Sequence, residues 1–149
     1  PALGSPDEAV PMQLSMIPWE TRVVGGVDLA ARDEGPPHYA FWMRTPAFEG
    51  DPAAHQALLA HATDLSPIGT ALRPHAGLGE DDSPERIQTA VTSHTLWFHR
   101  PLRVDDWLLV SQESPVVAGG RGFAHGYVHT RAGDLVASFA QESMLRRVE

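Results

Sequence analysis

One helical signal followed by four strand-like runs limits what this chain can become. The signal is DPAAHQALLAHATDLSPIGTALRP, residues 51–74. Asp51 suits a helix N-cap and Pro52 the first helical position, where a missing N–H costs nothing. Leu58, Leu59, Ala62 and Leu65 recur at helical spacing. Pro67 lacks an N–H and clashes with the preceding turn, so the helix must break there, with a second short piece over 67–72. After the polar loop RPHAGLGEDDSPER, strand-like runs cover 87–99, 105–117, 121–131 and 135–146, with no room for another helix. Upstream, 19–29 (interrupted by Gly25 and Gly26) and the aromatic-dense 38–46 read as two further strands. One long central helix against an antiparallel sheet of about six strands predicts an α+β layer arrangement. Residues 1–18 are rich in proline and small residues and read as a linker or extended arm leaning on a partner or another domain, with the domain proper over 19–149.

The 149 residues suit one domain able to bury about two-thirds of its unfolded surface. With no cysteine, disulfides, thiolate catalysis and Cys-ligated zinc are excluded. The formal charge is −8, from eleven arginines and no lysine against nineteen acids. That balance excludes nucleic acid, whose binding rests on phosphate neutralisation, but not a small anion held by a few arginines. No stretch approaches the ~20 apolar residues that span a bilayer, and no signal peptide opens the chain, so a cytoplasmic location is expected. The absence of Lys and Asn, with abundant Ala, Gly, Pro and Arg, reads as the codon bias of a GC-rich, bacterial genome.

Two polar residues stand on or beside apolar faces. On the last strand Leu135, Ala137, Phe139, Gln141, Ser143 and Leu145 alternate onto one face, which sets the Gln141 amide among apolar neighbours. A buried amide without partners costs about 1–3 kcal/mol. Gln141 is therefore either a structural amide bonded to nearby backbone or a working group. Asp64 lies at the edge of the helix stripe, just before the Pro67 break. It is either solvated or set in a cleft as a general base. The eight histidines form no metal-binding spacing, and there is no nucleophile elbow or phosphate-cradling glycine loop. Gly119, Gly120 and Gly122 surround Arg121 in a strand-to-strand turn.

The run HTLWFHRPLRVDDWLLVSQESPVVAGGRGFAHGYVHTRAGDLVASFAQESMLR, 94–146, resembles the end of the acyl-CoA thioesterase II (TesB-like) family. The helix segment HQALLAHATDLSPIGTALRPH, 55–75, is similar to that family's central helix, and the match runs from about residue 19 to the C-terminus with a longer loop near 76–84. The resemblance implies the hotdog fold, an antiparallel sheet wrapped around one helix. It also implies a second hotdog domain, from the same or another chain in a homo-oligomer, since the family carries two per chain and this sequence is similar to the second. It implies hydrolysis of acyl-CoA to a carboxylic acid and CoA, as part of fatty acid metabolism, with no cofactor and no metal. The family's water is held by an Asp, which maps on Asp64, a Gln, which maps on Gln141, and a Thr or Ser. The third position falls on Val91, which has no hydroxyl. Thr92 replaces it only if a β-bulge turns that side chain inward; Thr89 and Ser93 share the face of Val91. Arginines would have to meet the CoA phosphates.

Two other readings stand beside this one. A non-catalytic hotdog module that binds acyl-CoA or completes a paired assembly is supported by Val91. A hotdog hydratase would pair Asp64 with a strand histidine. In SHTLWFHRP, Trp97 and Phe98 take opposite faces, one expected on the helix and the other in the contact between paired domains, with His94 and His99 structural.

Overall fold

In the computed structural model, which describes residues 4–14 and 16–148, an N-capped helix lies across one face of an antiparallel sheet. Asp51 accepts the Ala54 N–H at 2.8 Å, and helix α1 runs Pro52–Asp64. The Pro67 break follows, and α2 occupies Pro67–Leu72. The strands are β1 (Val10–Pro11), β2 (Glu20–Val23), β3 (His38–Arg44), β4 (Ile87–Phe98), β5 (Leu108–Ala118), β6 (Arg121–Thr130) and β7 (Leu135–Arg147). All ladder pairs are antiparallel, in the order β1-β2-β3-β5-β6-β7-β4.

The core fills the space between α1 and the sheet. Leu59 and Ala62 of the helix meet Phe41, Met43, Val110, Val128, Val136 and Phe139 of four strands, all buried. The buried stripe of α1 is His55, Leu59, Ala62 and Thr63, rotated from the expected one, and Leu58 and Leu65 are only half-buried. α2 is fastened to β5 by a buried polar chain. Ser66 Oγ donates to Gln112 Oε1 at 3.2 Å, Gln112 Nε2 donates to Thr70 Oγ1 at 2.6 Å, and Thr70 Oγ1 donates to Ser66 O at 3.0 Å. This chain holds the helix break in place, and therefore the end of α1 above the sheet.

Three expectations change. The described residues hold seven strands, not about six, because the two-residue β1 pairs Val10 with Val23 and Pro11 with Arg22. So short a strand carries no period that a sequence pattern can show. The N-terminal arm leans on its own domain. Ile17 is 1% exposed in the main core, Ala9 packs with Trp42, Trp107 and Leu109, and the Met12 N–H donates to Thr21 O at 3.1 Å. Its apolar residues, spaced between prolines, cover the β2 edge and the outer face beside it. Finally, neither Trp97 nor Phe98 is packed on the helix, being 51% and 38% exposed. Leu96 makes that contact. A β-bulge between Val91 and Ser93 shifts the phase of β4, so Ile87 and Thr89 turn inward before it and His94 and Leu96 after it.

Candidate active site

Three elements converge below the helix break. Asp64 ends α1, Gln141 lies on β7, and His94 lies directly opposite Gln141 on β4. Gln141 is 1% exposed, while the Asp64 side chain is 39% exposed, so the cluster is sealed on the sheet side and open at the carboxylate.

The Gln141 amide satisfies its neighbours in one orientation. Its oxygen accepts from Ser143 Oγ at 3.1 Å; its nitrogen then lies 3.2 Å from Asp64 Oδ1, 3.2 Å from Asp64 O and 2.9 Å from His94 Nδ1. The reverse orientation would set oxygen against carboxylate, acceptor facing acceptor. With Gln141 donating to His94 Nδ1, the imidazole proton sits on Nε2, which donates to Thr63 Oγ1 at 3.1 Å. The Thr63 hydroxyl in turn donates a hydrogen bond to Leu59 O at 3.1 Å or Ala60 O at 3.2 Å. Burial holds the His94 imidazole below its usual range, against the opposing pull of the Asp64 carboxylate 3.9 Å away. The result is a neutral imidazole with both nitrogens engaged and a carboxylate that still faces solvent.

The structure brings Asp64 and Gln141 together and leaves Thr92 outside. The bulge forms at Thr92 as its inward turn would require, yet Thr92 Oγ1 donates to Glu142 O at 2.9 Å, with Glu142 Oε1 at 3.2 Å, on an exposed edge. The carbonyl of β7 captures the hydroxyl because a bulged residue loses its ladder partner. Thr89 is bonded to Ser83 Oγ at 3.1 Å, and Ser93 faces outward opposite Glu142. Val91 stays opposite Ser143. His94, read from the sequence only as structural, stands in contact with both Asp64 and Gln141; the signal was its place two residues before Leu96, hidden by the phase change at the bulge. His99 binds Ser138 Oγ at 2.7 Å, away from this cluster.

A cavity of about 560 Å³ opens past the end of α1, lined by Leu14, Ile17, Tyr39, Leu65, Ile68, Thr89 and Glu80; Asp64, Gln141 and His94 do not line it. Burial pushes the Glu80 carboxyl up to about 7, a rise opposed by a bond from the Gly69 N–H and reinforced by Asp81 and Asp28. A carboxyl whose folded value lies above its unfolded one contributes its stability at low pH and loses it as pH climbs toward 7. Glu80→Gln should therefore raise stability by roughly 2–3 kcal/mol more at pH 8 than at pH 5. Urea unfolding at the two pH values checks this; equal effects at both would contradict it.

The protein-family model described as "Acyl-CoA thioesterase C-terminal domain" matches residues 2–145. Acyl-coenzyme A thioesterase 8 of Mus musculus is 35% identical over 133 residues, which cover 87% of this chain and 40% of that protein. Acyl-CoA thioesterase 2 of Haemophilus influenzae is 37% identical over 91 residues, 61% of this chain and 31% of that protein. Among solved structures, the acyl-CoA thioesterase II TesB2 from Mycobacterium marinum superposes with a TM-score of 0.79 at 32% identity, covering 100% of this chain and 56% of that one. The chain thus spans about half the length of that solved structure, and less of the curated relatives.

Proposed function

Because this chain belongs to the acyl-CoA thioesterase C-terminal domain family and carries the hotdog fold, we propose that it hydrolyses acyl-CoA thioesters by an activated water. The observation that supports this most is the solvent-facing Asp64 carboxylate with the Gln141 nitrogen 3.2 Å from it. Asp64 takes a proton as the water oxygen bonds to the thioester carbonyl carbon. Gln141 keeps one N–H on His94 Nδ1 and turns the other from Asp64 to the water or to the oxygen that becomes negative. The C–S bond then breaks, and the proton leaves with the CoA sulfur. The cavity beside Leu65 takes the acyl chain.

The open edge of β4 suits pairing with a second hotdog domain, from the same protein or a second copy, in a cytoplasmic enzyme. β4 ends the sheet, runs twelve residues and exposes Val91, Trp97 and Phe98 along it. The hydratase reading has a carboxylate and a histidine in place, but both nitrogens of His94 are engaged, which leaves no free proton donor for an enoyl thioester.

Thiol-reagent detection of free CoA from a panel of acyl-CoAs, with sedimentation to establish pairing, tests the proposal. Release that rises with acyl-CoA concentration and saturates is expected. A paired protein that binds acyl-CoA without releasing CoA would favour the non-catalytic module instead.

A further inference from the structure

We infer that the cavity past the end of α1 selects acyl chains that carry a hydroxyl on their far part, and that Glu80 recognises this hydroxyl and turns away chains ending in carboxylate. The inference rests on the reading above, in which the acyl chain of the thioester enters this cavity. Asp64, Gln141 and His94 stand outside it, so the carbons next to the thioester stay outside as well. Ile17, Leu65 and Ile68 give the far carbons apolar walls. Tyr39, 3% exposed, also lines the cavity, and its hydroxyl has no partner among the described residues.

Three carboxyls complete the lining: Asp28, Glu80 and Asp81. Asp28 and Asp81 are exposed, and Asp28 accepts the Ala30 N–H at 3.0 Å. Glu80 is fixed in place. Its N–H donates to Leu29 O at 3.0 Å, and Asp82 beyond it accepts from the Gly79 N–H at 2.9 Å and from Arg32 Nη2 at 2.8 Å. Its carboxyl lies against α2 where residue 69 is glycine; a Cβ there would stand 2.2 Å from Glu80 Oε1. Among the described residues no cation pairs with this carboxyl, and the Gly69 N–H is the one group that favours its charge. With its value at about 7, Glu80 is present near neutral pH both with and without its proton. A hydroxyl both donates and accepts, so it bonds either form. A plain chain displaces water from the carboxyl and returns no hydrogen bond. A chain ending in carboxylate brings a like charge against three acids, where burial limits screening.

The test measures kcat/KM of the full chain at pH 8 on acyl-CoAs of one length: plain, hydroxylated at the far end, hydroxylated at the third carbon, and ending in carboxylate. The far hydroxyl is expected to lead the plain chain by about tenfold to a hundredfold, the worth of one hydrogen bond to a charged group. The third-carbon hydroxyl should gain nothing, and the carboxylate should fall below the plain chain. Glu80→Leu should reverse the order of the plain and far-hydroxylated chains. Glu80→Gln keeps a hydrogen-bonding group without the charge, so it should keep the preference for the hydroxyl and weaken the exclusion of the carboxylate. Equal kcat/KM for the plain and far-hydroxylated chains in the parent would overturn the inference. So would a hydroxyl preference that survives Glu80→Leu. Should the Leu variant fail to fold, the Gln variant decides, and an undiminished exclusion of the carboxylate there counts against the inference in the same way. If the parent releases CoA from none of these substrates, the hydrolytic reading fails. Calorimetric binding of the same acyl-CoAs then still reads the preference, and equal affinities for the plain and far-hydroxylated chains overturn it.

Discussion

Asp64→Asn is expected to lower kcat for acyl-CoA hydrolysis by about 10²- to 10⁴-fold, the range a positioned general base contributes. The substitution keeps the shape of the side chain and an oxygen for the Gln141 nitrogen, 3.2 Å away in the parent, and removes only the capacity to take a proton. Its stability cost should be within about 0.5 kcal/mol, because the side chain is 39% exposed and the Asn oxygen still accepts from Gln141. KM should move little, since the cavity proposed for the acyl chain is lined by Leu65, Ile68 and Ile17 and not by Asp64. Measuring kcat and KM beside an unfolding curve separates these effects. A kcat within threefold of the parent, with the fold intact, would remove Asp64 from the reaction.

The largest expected loss of stability is at Phe139. Its ring is 2% exposed and lies across Gly126 of β6, so closely that a Cβ there would sit 2.4 Å from Phe139 Cζ. Only glycine leaves room for the ring at that crossing. On the other side the ring meets His94, with centroids 5.9 Å apart at 48°. Phe139→Ala removes the ring from between two strands whose backbones are fixed by their ladders, so neither can close the gap. The cost should be about 3–5 kcal/mol, a large part of the ~5–15 kcal/mol that holds a domain of this kind folded. Urea unfolding reads it directly. A loss below about 1 kcal/mol would mean the sheet collapses around the hole, contrary to the rigidity argued for the ladders.

The helix, its cap, its break and the four long strands were legible because each rests on a local rule: Asp51 before Pro52, Pro67 inside a helical pattern, glycines at the hairpin turns. Gln141 stood out by alternation on β7, and Asp64 by its place before the break; the structure puts the two side by side. What was not legible depends on pairing. His94 and Leu96 turn inward only because β4 slips phase after Val91, and a bulge leaves no mark that a count by twos can find. The expectation that one of Trp97 and Phe98 packs on the helix fails as well, both being exposed. The arm looked like a linker because prolines break every pattern that would show Ala9 and Ile17 as core residues. Ile17 is nevertheless among the most buried side chains of the domain.

The extra residue in β4 has a consequence for how such chains diverge. Val91 pairs with Ser143 and Ser93 with Glu142, so Thr92 can be gained or lost without sliding β4 along β7. Two chains of this shape can therefore match face for face while their spacings differ by one. If the unpaired position moved one residue toward the N-terminus, Thr92 would stand opposite Ser143 and Val91 would be the residue set aside. A hydroxyl would replace a methyl at the mouth of the site without any change of sequence.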